Sequence, residues 1–187
     1  MRPAELDDRL RRRVLWSMPT GLYVVGSRAG EGAVGGADVV AGVRWNLMTA
    51  NLVVQVATAP KLVAVAIDAE ALTNRLVRDG GCFSLSLLHR GDRAVVRRFV
   101  KPVPVDEVVA DADAVVSMAG EAVAAHATGA PVLARALAWL DCELRQVVEL
   151  GSHDLCIGEV VAVGGPETGT EPPAVLRMED TRMNYGG

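Results

Sequence analysis

Asn46, Thr49, Asn51, Gln55 and Thr58 stand at close intervals in the otherwise apolar stretch RWNLMTANLVVQVATAPKLVAVAID, residues 44–68. A buried amide or hydroxyl left without a partner costs about 1–3 kcal/mol. Two arrangements would satisfy this cluster. The side chains could bond local backbone where two antiparallel core strands turn. Or they could line a flat polar ligand, with amides and backbone N–H groups meeting ring heteroatoms and hydroxyls meeting a phosphate or polyol chain.

The other reactive residue types point to less. His89, His126 and His153 have no metal-ligand spacing, so no metal site is expected. Cys82, Cys142 and Cys156 are odd in number, lack a CxxC pair and sit in or beside apolar runs. They read as reduced core thiols of a cytoplasmic protein. The glycine-rich RAGEGAVGG contains neither GxGxxG nor a Walker A pattern and is given no phosphate role. Paired carboxylates and nucleophile–base arrangements are not evident.

The elements that must carry these residues are mostly strands. Residues 4–18 have Leu6, Leu10, Val14 and Met18 at four-residue spacing and read as an amphipathic helix stopped by Pro19, Thr20 and Gly21. LYVVGS and residues 38–45 read as a hairpin around the glycine-rich loop. Leu62–Ile67 is continuously apolar, as in a strand covered on both faces. AEALTNRLVRDGG reads as a short helix with a glycine stop, and Cys82–Leu88 as an alternating strand with Ser84 and Ser86 opposite Phe83, Leu85 and Leu87. GDRAVVRRFV reads as a second short helix ended before Pro102. Alanine-rich residues 103–130 suggest an irregular excursion with one helical piece. Ala134–Leu150 and HDLCIGEVVAVGG read as long strands about a turn at Gly151-Ser152, and 164–187 as a tail wrapping the surface. The expected architecture is mainly β: a closed or half-closed antiparallel β-barrel with helical insertions, in one domain over 1–187 with its core at about 14–163.

Half of the 187 residues are apolar and mean hydropathy is +0.25, high enough to suggest that a second subunit covers some apolar surface. A formal charge of −4 and no basic stripe argue against nucleic acid. Arg9, Arg11, Arg12 and Arg13 beside Asp7 and Asp8 read as a solvated helix face. A charged start without an apolar signal region, and no apolar run of membrane-spanning length, lead to the expectation of a soluble cytoplasmic protein with no membrane partner.

Taken in order, MPTGLYVVGS, NLMTANLVVQVATAPKLVAVAID, ALTNRLVRDGGCFSLSLL, RRFV and GSHDLCIGEVVAV resemble the flavin-reductase-like family of FMN-binding split β-barrels over about residues 17–163. The resemblance implies a homodimer with FMN, or FAD, near the subunit interface. It places Asn46, Met48, Thr49, Ala50 and Asn51 along the cofactor, with Gln55, Val56, Ala57 and Thr58 at the ring edge or the phosphate. Thr73 and Asn74, opening the short helix, would offer N–H groups to phosphate. Phe99 would cover the ring, and Lys101 or Arg98 would meet phosphate; the plainer readings are core packing and a solvated face. His153 would touch flavin or nicotinamide as the catalytic contact. The chain departs from the pattern at Ser152, where Asp usually precedes the histidine, and at Ala57, Thr58, Lys61 and Ser86.

The implied activity is NAD(P)H:flavin oxidoreduction, with NAD(P)H entering as a transient substrate because no Rossmann segment is present. Reduced flavin would serve a partner monooxygenase or another electron acceptor. Two further readings stand beside it: a flavin-binding electron carrier or flavin store without reductase activity, and a split-barrel binder of another flat cofactor such as a deazaflavin. Haem is disfavoured, with His153 the one reasonable axial candidate.

Overall fold

In the computed structural model, which describes residues 8–30, 43–111, 114–166, 174–181 and 183, the apolar runs become strands. The chain order is α1 (Asp8–Trp16), β1 (Tyr23–Gly30), β2 (Val43–Ala50), β3 (Val53–Thr58), β4 (Lys61–Asp68), α2 (Leu72–Gly80) and β5 (Cys82–Leu87). It continues with β6 (Val108–Asp111), β7 (Ala114–Met118), β8 (Glu121–Ala125), β9 (Pro131–Leu133), β10 (Ala138–Glu149) and β11 (His153–Gly164). Seven strands form one antiparallel sheet in the order β2-β1-β5-β10-β11-β4-β3. The outermost two, β2 and β3, are consecutive in the chain and joined by Asn51 and Leu52 alone. Three residue steps reach at most roughly 10 Å, so the two edges lie side by side and the sheet must curl. The result is a barrel split along one seam, the half-closed form of the expected β-barrel.

Strand alternation divides the apolar residues between two cores. Inside the barrel pack Val25, Ala50, Val63, Val65, Ile67, Phe83, Leu85, Cys142 and Cys156. Outside it, Leu22, Val24, Trp45, Leu47, Phe99, Met118 and Leu176 pack together. A Cβ on Gly158 would lie 2.5 Å from the Phe83 ring, so the missing side chain is what lets that fully buried ring approach β11 so closely. The amphipathic helix α2 buries Leu76 and Val77 and ends at Gly81, whose φ of 64° is the left-handed cap, with its N–H on the Val77 carbonyl at 2.9 Å. The three cysteines are free and buried.

Several expectations need correction. Residues 103–130 are not an irregular excursion with a helix. A 3-10 turn, Val105–Glu107, leads into a second antiparallel sheet, β6-β7-β8-β9. Alanine there signals close packing, since the sheet is short and lies on the barrel wall, where Ser84 and Ser86 of β5 bond the Pro131 carbonyl and the Leu133 N–H. Those serines, on the face opposite Phe83 and Leu85 as expected, therefore meet a buried layer. GDRAVVRRFV forms two 3-10 turns, Arg90–Asp92 and Val96–Phe99, in place of a helix. The second strand of the first hairpin runs through 43–50, beyond the expected 38–45, of which 38–42 fall outside the described residues. The expected strand from Ala134 begins at Ala138. The described part of the tail does more than cover the surface: Leu176 is fully buried, exchanging backbone bonds with Leu22 and Leu88. Of the expected helix 4–18, α1 accounts for 8–16, and it buries none of its residues. Its Arg11 and Arg12 pair with Asp8, as a solvated face should.

Candidate functional site

The polar residues of the opening stretch meet two different fates. Asn46 on β2 is 1% exposed and wholly occupied by the protein. Its Nδ2 donates to Thr73 Oγ1 at 2.8 Å, its Oδ1 accepts from the Val103 N–H at 2.9 Å, and its carbonyl accepts from Ser27 Oγ at 3.4 Å. Thr49 donates to the Val96 carbonyl at 2.6 Å. Beyond the two-residue link the pattern reverses. On β3, Gln55, Val56 and Thr58 are exposed and Ala57 half-buried, and Gln55 bonds only the nearby Ala57 carbonyl, at 3.1 Å. β3 is a sheet edge, so half of its backbone groups face away from any ladder.

Thr73 and Asn74 are also occupied. Asn74 donates to Asp154 Oδ2 at 2.8 Å and accepts from Arg78 Nε at 3.0 Å, while Arg78 reaches the same carboxylate oxygen at 2.7 Å. This closed triangle ties α2 to β11. The Arg78 and Asn74 hydrogen bonds hold the Asp154 carboxyl below its usual pKa range. The Asn74 N–H is taken by the Ala71 carbonyl. Phe99 is fully buried in the outer core. Arg98 pairs with Glu121 at 3.1 Å and bonds the Ala119 carbonyl, whereas Lys101 is exposed. Met48 packs against the barrel core beside buried Ala50.

His153, half-buried at the start of β11, lies opposite Asp68 in the β4 ladder. Its Nδ1 is 3.0 Å from the hydroxyl of Ser152, which thus supplies the ring partner that an aspartate would otherwise provide. The Leu52 carbonyl accepts from the Ala66 N–H, two positions from Asp68, so Asn51, Leu52 and His153 share one end of the sheet. Thr58 pairs with Lys61 at the other end. Seven residues of β4 separate the two, roughly 23 Å at strand rise. One planar ring within one chain does not touch both.

Sequence reading missed a cavity of about 660 Å³ at the Asn51 end, between the C-terminal turn of α1, the β2–β3 link and the returning tail. Trp16, Met18, Thr20, Asn51, Leu52, Arg177 and Met178 are among its lining residues. That volume is in the range of small-molecule sites, and the mix of apolar wall with a few polar groups is typical of them. Tail residues 174–178 are fixed there by Leu22 N–H to Leu176 carbonyl and Met178 N–H to Thr20 carbonyl bonds, both 3.1 Å. The signal in the sequence was faint: a helix stop at Pro19, Thr20 and Gly21 and a Gly- and Pro-rich tail read as wrapping the surface.

Nucleophilic chemistry has little support. Burial, with the Asp141 charge adding to it, pushes the Cys142 thiol up to about 12; burial, then Asp154, pushes Cys156 up to about 11. Among the described residues no group of three or more His, Cys, Asp or Glu is placed to hold a metal.

Comparison with known proteins agrees with this fold. The model of the flavin reductase like domain matches residues 15–184. The NADH-dependent FAD reductase of Streptomyces globisporus is 32% identical over 166 residues, covering 85% of this chain and 79% of the relative. An NADH-dependent flavin reductase of Pseudomonas fluorescens is 27% identical, covering 92% and 87%. Among solved structures, the flavin reductase of the styrene monooxygenase from Pseudomonas putida S12 superposes with a TM-score of 0.61 at 26% identity, covering 84% and 87%. With the ordered motifs, the split barrel and a match over nearly its whole length, the chain belongs to the flavin reductase like domain family.

Proposed function

We propose that the protein is an NADH-using flavin reductase that supplies reduced flavin to a partner enzyme. The observation that carries this reading is the match of residues 15–184 to the family, joined to relatives over most of their length that are NADH-dependent flavin or FAD reductases. A solved relative that is the flavin reductase component of a bacterial two-component tryptophan halogenase, and another from a styrene monooxygenase, support a flavin-consuming partner.

The residues fit a flavin at the split seam. The β2–β3 link leaves two strand edges open, and the cavity begins there at Asn51 and Leu52. Thr49, Ala50 and Asn51 would flank the cofactor through backbone, since the side chains of Asn46 and Thr49 are occupied in holding the strand. When bound, FMN or FAD supplies the ring that accepts hydride from the nicotinamide. The protein's part is to orient the two rings and exclude water. His153, held by Ser152, would contact flavin or nicotinamide from the same end of the sheet.

Of the remaining predicted residues, Gln55, Val56 and Ala57 follow Leu52 closely enough to flank the cofactor in the same chain, whereas Thr58, at the far end of β3, would meet that ring only from a second copy. The outer face of the sheet supports a homodimer. Register puts Val54 on the face away from the barrel core, and Leu52 and Val54 are 43% and 56% exposed. Phe99, Thr73 and Asn74 act in this reading as supports, while the exposed Lys101 would meet phosphate. Among the described residues no helix is long and apolar enough to cross a membrane, and we place the protein in the cytoplasm on its reduced, buried cysteines.

The test is anaerobic reduction of added FMN and FAD by NADH, followed by the flavin absorbance. Rapid bleaching with NADH supports the reductase; flavin that binds but stays oxidised leaves a carrier.

A further inference from the structure

The turn between β10 and β11 is held more firmly than a surface turn requires. Gly151, with φ at 91°, reverses the chain, and the two residues after it are pinned through their backbones. The Ser152 carbonyl accepts from the Ala69 N–H and the His153 carbonyl from the Leu150 N–H, both at 3.0 Å. Asp154 follows, clamped to Asn74 and Arg78. A hydroxyl and an imidazole are thus kept side by side, Oγ 3.0 Å from Nδ1, with Ser152 exposed and His153 half-buried.

A hydroxyl both donates and accepts, so this partner orients the ring without fixing its proton. With Oγ–H donating to Nδ1, the ring proton sits on Nε2; with Nδ1–H donating to Oγ, Nε2 carries a lone pair. Both states are neutral, and the exposure of Ser152 lets water carry the proton between them. The carboxylates nearby have partners of their own. Asp68, opposite His153 in the β4 ladder, accepts the Glu70 N–H at 2.8 Å, Asp154 takes Asn74 and Arg78, and Glu149 meets Arg78 at 3.4 Å. Among the described residues, Ser152 is the one side chain bonded to the ring.

We propose that Ser152 is a positioning residue for the reaction with NADH, holding the His153 ring while leaving Nε2 free to act as N–H donor or lone-pair acceptor. The carboxamide of a nicotinamide has an amino donor and a carbonyl acceptor, and such a ring can meet either. The inference rests on the reading of His153 as a contact for the reacting rings.

The first test needs no activity: nitrogen-15 NMR of histidine-labelled protein without flavin or NADH, at about pH 8.5, above the usual imidazole range. The His153 signals are those lost in His153→Gln. In the wild type both ring nitrogens should show averaged shifts from two tautomers, and Ser152→Asp, whose carboxylate only accepts, should leave the proton on Nδ1 alone. A wild-type spectrum matching Ser152→Asp, or one unchanged in Ser152→Ala, overturns the proposal. Ser152 lies in an exposed turn, so its variants should melt with the wild type. In steady-state assays Ser152→Ala should lower kcat/KM for NADH about fivefold, and Ser152→Thr should restore it to within about twofold. In a His153→Gln background Ser152→Ala should add nothing, and an undiminished loss there overturns the proposal. If His153→Gln is impaired while every Ser152 variant matches the wild type, the positioning role fails and His153 keeps its contact. If His153→Gln itself matches the wild type, the reading of His153 fails and the role of Ser152 falls with it.

Discussion

β2 and β3 are neighbours in sequence, carry similar mixtures of apolar and polar residues, and form the two edges of the same sheet, yet their polar groups do opposite things. On β2, Asn46 and Thr49 are buried and bonded to α2, to the Val103 N–H and to the Val96 carbonyl. On β3, Gln55 and Thr58 are exposed on an open edge. The difference is what lies alongside. β2 is flanked by α2 and by the chain at 96–103, which provide partners; among the described residues β3 has β4 as its one ladder partner. A polar residue in an apolar run is thus structural where another element reaches it, and available for a guest or a second subunit where none does.

This contrast can be broken by substitution. Asn46→Ala should have the largest effect, about 2–4 kcal/mol in urea unfolding, because it strands the buried Val103 N–H and the Thr73 hydroxyl together. A change under about 1 kcal/mol would show that water replaces the amide and that β2 resembles β3 after all.

Next comes the triangle that anchors α2 to β11. The Asp154 carboxyl is held below its usual range when folded, so its contribution is complete above the unfolded value of about 3.9 and is lost as pH falls through the folded value. Asp154→Asn should therefore be less stable than wild type at neutral pH and flatten the acid limb of stability below about pH 4. Identical acid limbs would remove the charge from the account.

On the β3 side, Val54→Lys should move stability by no more than about 0.5 kcal/mol while lowering the sedimenting mass from dimer to monomer. A large loss of stability without a mass change would mean that this face is buried within one chain. The smallest effect belongs to Gln55→Ala, within about 0.5 kcal/mol, its single bond being local and exposed.

The periodicities that show in one short window were legible in the sequence. Leu62–Ile67 read as a strand flanked on both faces, AEALTNRLVRDGG as a helix stopped by glycine, and Ala134–Leu150 with HDLCIGEVVAVGG as two long strands about a turn, the first of which begins at Ala138 in the structure. The small sheet at 108–133 was not, because its strands are three to five residues long and their alanines favour a helix until packing against β5 decides otherwise. The site divided in the same way. Sequence named Asn46 and Thr73 separately but could not see that they bond each other across 27 positions. That Trp16 and Arg177 line one cavity was invisible, because 160 residues separate them before the tail returns to Thr20.

The two-residue tether between the sheet's edges also has a dynamic consequence. Strands locked in ladders separate only when many hydrogen bonds fail together, whereas a seam without a ladder can widen by bending around its short hinge. Amide hydrogen exchange should then be fastest along the facing margins of β2 and β3 and slowest in β5, β10 and β11, whose neighbours hold them on both sides. The barrel would admit a planar guest by breathing at one place, with the rest of its wall at rest.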